Sequence, residues 1–169
     1  MTEWPFPDGG GVPSPDIVAA WAQLGMLPTE KVPLWAAHWL VAGYDGEHVV
    51  ALAGLHGDDP NDVRDVLPDA LLDCGVTIPN SVAAAASVSF THLARMHVDG
   101  QAGAFWIAQK VDDVVTGARY AHEVFDLPLG RLYGISDEWG AGWGRTEREL
   151  TDVVKRACED QLREGSVTI

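Results

Sequence analysis

Helical periodicity through nearly all of residues 14–164 constrains this chain more than any other feature. Apolar residues recur three and four positions apart, as they do on one face of a helix. Strand-like alternation is absent apart from an ambiguous tail at residues 166–169. Clear helix starts punctuate the pattern, such as Asp59-Pro60, where an aspartate can cap and a proline loses no hydrogen bond. We therefore predict an all-α fold, an irregular or orthogonal bundle of six to eight helices.

The length and composition fit one globular domain. The chain has 169 residues, of which 47% are hydrophobic, enough to bury a core. Residues 1–13 are rich in proline and glycine and are predicted to form an irregular N-terminal arm. Residues 14–169 are predicted to form a single helical domain.

The charge balance restricts the partners that we expect. Eleven lysines and arginines face 25 aspartates and glutamates, which gives a formal net charge of −14. This excess argues against direct binding of nucleic acid or of an anionic membrane, and it suits a basic protein partner. We also find no apolar run that could cross a membrane and no secretory signal, so we predict a cytoplasmic protein. Cys74 and Cys158 lie on predicted apolar helix faces and are interpreted as buried thiols.

Four aspartates form the first candidate site. Asp62, Asp65, Asp69 and Asp73 are spaced three, four and four residues apart, so on one helix they share an arc of roughly 80°. Such a face is commonly only a solvated surface, but it can also dock a basic partner. Pro68 leaves one question open, because it either kinks this helix or begins a new one.

The longest predicted helix spans roughly residues 101–125 and is followed by a loop rich in glycine and tryptophan. We expect the apolar face of this helix to pack on the alanine-rich helix before it. The seven residues on that face are Ala104, Ala108, Val111, Val115, Ala118, His122 and Phe125. Residues 126–144 then break all helical periodicity, and long loops in compact domains are often functional.

Aromatic residues of this loop form the second candidate site. Tyr133, Trp139 and Trp143, together with His122, are predicted to bind a ligand or to anchor a partner. The competing interpretation is that the aromatic rings fix the loop to the core and that His122 is a hydrogen-bonded core histidine.

Familiar catalytic and metal-binding patterns are absent from the sequence. His122 and Asp126 stand four residues apart, but the HEVFD segment lacks the second histidine of a zinc-protease motif. The GAGWGR segment follows no strand and lacks the lysine of a phosphate-binding loop. No serine or cysteine has the setting of a nucleophile. The sequence thus indicates no catalytic residue, no metal and no cofactor.

Three functions remain compatible with the sequence. The first is an acidic protein–protein interaction domain, such as an immunity or inhibitor protein that binds a basic partner through the aspartate-rich helix face. The alternative is a small-molecule-binding domain or enzyme with a pocket between the 101–125 helix and the 130–144 loop. The third is a structural or oligomeric component. The sequence leaves the partner, the ligand and the oligomeric state open.

Overall fold

The described part of the chain, residues 11–167 of a computed structural model, is built from helices. It contains seven α-helices and four short 3-10 turns, and none of these residues lies in a strand. The prediction of an all-α bundle with six to eight helices is therefore confirmed. The α-helices are α1 (Pro15–Leu24), α2 (Val32–Val41), α3 (Glu47–Ala53), α4 (Pro60–Asp73), α5 (Val82–Val98), α6 (Ala104–Gly117) and α7 (Glu147–Val167).

The described residues group into two compact units, residues 11–80 and residues 81–167. The assignment of residues 14–169 to one domain stays a prediction, since each unit is defined by its own internal contacts. Most of the predicted N-terminal arm lies outside the described residues, as do residues 168 and 169.

The first unit contains α1 to α4. Helix α3 packs against both α2 and α4 and buries Val49 and Leu52 completely. Helix α2 is held by Trp39, whose indole Nε1 donates a 2.9 Å hydrogen bond to the carbonyl oxygen of Pro13. At the start of α4, the Asp59 carboxylate accepts a 2.8 Å hydrogen bond from the backbone N–H of Asn61, as a capping aspartate should.

Helix α4 continues through Pro68, which settles the question that the sequence left open. The helix runs from Pro60 to Asp73 with Pro68 in its interior. A proline in this position has no N–H to donate to the carbonyl oxygen four residues earlier, which belongs to Arg64. The four aspartates therefore stand on one continuous helix, although its hydrogen-bond ladder is incomplete at Arg64.

The second unit is organised around α5, which contacts both α6 and α7. Its N-terminus is capped by Ser81, whose hydroxyl oxygen accepts a 3.1 Å hydrogen bond from the N–H of Ala84. Small side chains allow the neighbouring helices to approach closely, and Ala85, Ala86 and Ala94 are fully buried. The predicted packing of the alanine-rich helix against the following helix is confirmed.

The predicted helix over residues 101–125 is wrong at its C-terminal end. Helix α6 ends at Gly117, and Arg119 and Tyr120 have φ angles of 54° and 58°. The N–H of Tyr120 donates a 3.0 Å hydrogen bond to the carbonyl of Val115, which closes the helix with a left-handed C-terminal turn. The longest helix is instead α7, with 21 residues.

The shorter α6 also changes the setting of His122 and Phe125. Both residues lie in a separate 3-10 turn, His122–Asp126, beyond the left-handed turn. The predicted apolar face therefore ends at Ala118, and His122 is exposed. The interpretation of His122 as a core histidine is wrong, because the chain leaves the helix before it reaches this residue.

Ala108 offers a test of the packing of α6. Its side chain is fully buried, so replacing it with leucine inserts three carbon atoms where no space is available. We expect Ala108→Leu to lower the free energy of unfolding by about 1–3 kcal/mol. Urea denaturation followed by circular dichroism measures the difference. An unchanged urea midpoint would contradict the prediction, because it would show that α6 accommodates the larger side chain without losing stability.

Candidate functional site

The aspartate-rich face of α4 consists of Asp62, Asp65, Asp69 and Asp73, and we call it the acid stripe. All four residues are exposed, but the side chain of Asp73 is only 24% exposed, compared with 60% for the side chain of Asp69. The opposite face of the helix is buried through Val63, Leu67, Ala70 and Leu71. The helix is thus amphipathic, and its acidic face is open to solvent, least so at the side chain of Asp73.

Asp73 has a structural contact that distinguishes it from the other three aspartates. Its Oδ2 accepts a 2.9 Å hydrogen bond from the backbone N–H of His48, in the first turn of α3, and lies 3.3 Å from His48 Nδ1. A carboxylate at a helix N-terminus is favourable, because it meets unpaired N–H groups and the positive end of the helix dipole. Asp73 therefore links α4 to α3. The Asp69 carboxylate lies 4.0 Å from His48 Nε2 at the edge of the same cluster.

The first unit concentrates the negative charge of the chain. Residues 11–80 contain ten aspartates and glutamates and two basic residues, Lys31 and Arg64, so their formal charge is 2 − 10 = −8. This is more than half of the total of −14. A surface with such an excess attracts basic molecules over a distance comparable to the Debye length, about 8 Å at physiological ionic strength.

The aromatic residues of the second candidate site have different surroundings from one another. Trp139 packs against Phe105 of α6, with ring centroids 5.5 Å apart, and Tyr133 makes edge contacts with the rings of Tyr120 and Phe125. These rings fix residues 126–144, which we call the irregular segment, to the second unit. Trp143 is the most exposed of the three aromatic residues of this candidate site, at 63% compared with 43% for Tyr133.

Trp143 stands on a loop that is closed at its base by an ion pair. The Arg145 guanidinium donates hydrogen bonds of 2.6 and 3.0 Å to the two carboxylate oxygens of Glu138. This pairing lowers the pKa of the Glu138 carboxyl below its usual value. Directly after it, Thr146 and Glu149 form a capping box at the start of α7, with hydrogen bonds of 2.8 and 3.2 Å.

A shallow groove of about 290 Å³ lies along this loop. Trp143 lines it together with the ion pair of Glu138 and Arg145, but His122, Tyr133 and Trp139 do not. The structure therefore does not bring the four predicted residues of this site together in this groove. Of the four, Trp143 alone contributes to it.

Two polar side chains of α6 have roles that the sequence interpretation missed. The Asp112 carboxylate accepts a 2.9 Å hydrogen bond from the N–H of Gly134 and one of 2.7 Å from the Ser136 hydroxyl, which ties the irregular segment to the helix. Lys110 is buried, with its Nζ 3.5 Å from Asp113 Oδ2 and 5.2 Å from the centre of the Trp106 ring. The sequence contains no clear signal for the second of these, because Lys110 lies about 60° outside the arc of the predicted apolar face.

The described residues provide little for metal or thiol chemistry. No cluster of three or more histidine, cysteine, aspartate or glutamate side chains among them could hold a metal ion. Both cysteines are free, and burial raises the pKa of the Cys158 thiol to about 12, so it stays protonated. Within residues 11–167, no helix is both long enough and apolar enough to span a membrane.

No protein-family model, curated protein or solved structure matches this chain.

Proposed function

We propose that this chain is an acidic interaction domain that binds a basic segment of a partner protein, in the manner of an immunity or inhibitor protein. The observation that carries the proposal is the exposure of Asp62, Asp65 and Asp69 on one unbroken helix. These carboxylates project from a unit whose formal charge is −8. A rigid helix holds their spacing fixed, so lysine or arginine side chains at matching spacing can approach all three at once.

Asp73 contributes to this surface indirectly. Because its carboxylate is engaged by the first turn of α3, it fixes the position of α4 and is not free to pair fully with a partner. The proposed contact residues are therefore Asp62, Asp65 and Asp69, with Asp73 as a positioning residue.

Replacing the three exposed aspartates with asparagine should slow the association of basic peptides. We propose selecting short random peptides displayed on phage against the full-length protein and then measuring the association rates of the enriched peptides. The enriched peptides should be rich in lysine and arginine. At low salt, Asp62→Asn, Asp65→Asn and Asp69→Asn together should reduce the association rate about tenfold, because the long-range attraction is lost. The rate for the original protein should also fall more steeply with salt.

A control variant on α7 separates a local effect from the loss of net charge. Asp152→Asn, Glu159→Gln and Glu164→Gln together remove the same formal charge from exposed positions elsewhere. If both triple variants slow association equally, the acid stripe has no special role. Enriched peptides without basic residues would contradict the proposal directly.

A second candidate function is favoured by the exposure of Trp143. An aromatic ring on a loop closed by an ion pair could insert into a pocket of a partner, as tryptophan anchors of protein interfaces do. Trp143→Ser in the same peptide assay distinguishes the two candidates. A loss of binding in this variant, with no loss in the aspartate variant, would favour the tryptophan loop.

A further inference from the structure

A mainly apolar cleft opens beside the acid stripe. Its volume is about 210 Å³, and it lies between the C-terminal end of α1 and the middle of α4. Ala22, Leu67, Pro68 and Ile78 are among the side chains that line it, and Arg64 is the only charged residue among them. The cleft is smaller than the roughly 300–1,000 Å³ of most small-molecule pockets. Its size therefore suits a single side chain better than a cofactor.

Exposed apolar side chains connect the cleft to the acid stripe. Pro68 lines the cleft and is exposed, and Leu72, four residues later on the same face of α4, is 58% exposed. A helix turns about 100° per residue, so around the axis of α4 Leu72 lies roughly 40° from Pro68. Asp65 lies roughly 20° further in the same direction. The cleft, Leu72 and the aspartates thus follow one another around α4 without a break.

We propose that the cleft receives one large apolar side chain of the basic partner while the partner's lysines or arginines lie on Asp65 and Asp69. This inference rests on the proposed function and specifies the partner: a segment with an aliphatic or aromatic residue next to basic ones. Charge complementarity selects this occupant, because a unit of formal charge −8 repels an anionic one. Burial of the apolar side chain increases the affinity of the complex, and the complementary charges increase its association rate.

Arg64 gives the cleft a polar group that can orient the bound segment. It forms no ion pair with any other described residue, and it lines the cleft among apolar neighbours. The guanidinium can donate to backbone carbonyl oxygens of a bound segment. The guanidinium thus recognises a peptide backbone beside the anchor side chain.

Filling the cleft is the test of this inference. Ala22 is half-buried on α1, and Ala22→Phe places a ring inside the cleft. The probes are the peptides selected on the original protein, and their affinities are measured by fluorescence anisotropy. We expect Ala22→Phe to weaken binding about tenfold or more. Replacing the single large apolar residue of the peptide with serine should have the same effect.

Two further variants separate an effect on the cleft from a general effect on folding. Ala37→Phe adds the same ring at a half-buried position on α2, outside the cleft, and should leave affinity unchanged. Leu72→Ser alters only an exposed side chain, so it tests the apolar connection even if Ala22→Phe fails to fold. We expect it to weaken peptide binding several-fold. Circular dichroism establishes which variants are folded.

The outcomes separate this inference from the proposed function. If the aspartate variant weakens binding and neither Ala22→Phe nor Leu72→Ser does, the acid stripe binds basic segments but the cleft is not their anchor. That result overturns the inference alone. If none of these changes affects binding, the proposed function is overturned as well. Weakened binding in the aspartate variant and in both cleft variants, with Ala37→Phe unaffected, supports the inference.

Discussion

Replacing Gly130 with alanine should strongly destabilise the second unit. Gly130 is buried at the start of a 3-10 turn, and an added Cβ would overlap the carbonyl oxygen of Val124. It would also lie 2.9 Å from the carbonyl carbon of Val124 and 3.4 Å from the Cα of Phe125. All three are backbone atoms, so the overlap is relieved only if one chain segment moves away from the other. We expect a loss of about 3–5 kcal/mol in the free energy of unfolding.

Gly103→Ala is the matched control for this prediction. Gly103 has a φ of −76°, which alanine adopts readily, and nothing lies within 4 Å of its added Cβ. Since Gly103 is the residue before α6, where alanine is a poor cap, we expect a loss of at most about 1 kcal/mol. Urea denaturation of both variants gives the comparison. Equal midpoints for the two would mean that the Gly130 turn adapts without strain.

Helix starts could be predicted from the sequence because their causes are local. Asp59 caps the N–H of Asn61, two residues away, and Thr146 and Glu149 bond to each other across one turn. These contacts depend on short stretches of sequence that can be recognised directly. The same reasoning failed at the end of α6. Arg119 takes a left-handed conformation that glycine usually provides, so no glycine at that position marks the stop.

The role of Asp73 could not be predicted, because it depends on a contact between distant residues. Asp73 and His48 are 25 residues apart, and the helical period places the former with the other stripe aspartates. Only the packing of α3 on α4 makes it a capping residue. The cleft beside Pro68 could not be predicted for the same reason, because its lining residues come from α1, α4 and the segment at Ile78, which are distant in the sequence.

The two tryptophans of the irregular segment show a third limit. Trp139 and Trp143 both stand among glycines, and nothing in their neighbours indicates which ring is the more exposed. The structure places Trp139 against Phe105 and leaves Trp143 exposed. Composition could therefore identify the segment as a candidate site but could not predict which of its two tryptophans is exposed.

Removing the Asp112 carboxylate should release this irregular segment from α6. The carboxylate accepts from the Gly134 N–H at 2.9 Å and from the Ser136 hydroxyl at 2.7 Å, and both hydrogen bonds are partly buried. Hydrogen bonds to a charged group contribute about 1.5–3 kcal/mol each, and a donor left unpaired in a buried site adds its desolvation cost. Because partial exposure weakens these terms, we expect Asp112→Ala to lower the free energy of unfolding by about 2–4 kcal/mol.

Asp112→Asn and Ser136→Ala divide this effect between the two bonds. The asparagine carbonyl can still accept from Gly134 N–H, so Asp112→Asn should lose about 1 kcal/mol. Ser136→Ala removes only the hydroxyl and should have little further effect when Asp112 is already alanine. Denaturant unfolding of the single and double variants forms the cycle. Simple additivity of the two changes would show that Asp112 and Ser136 do not act together to hold the segment.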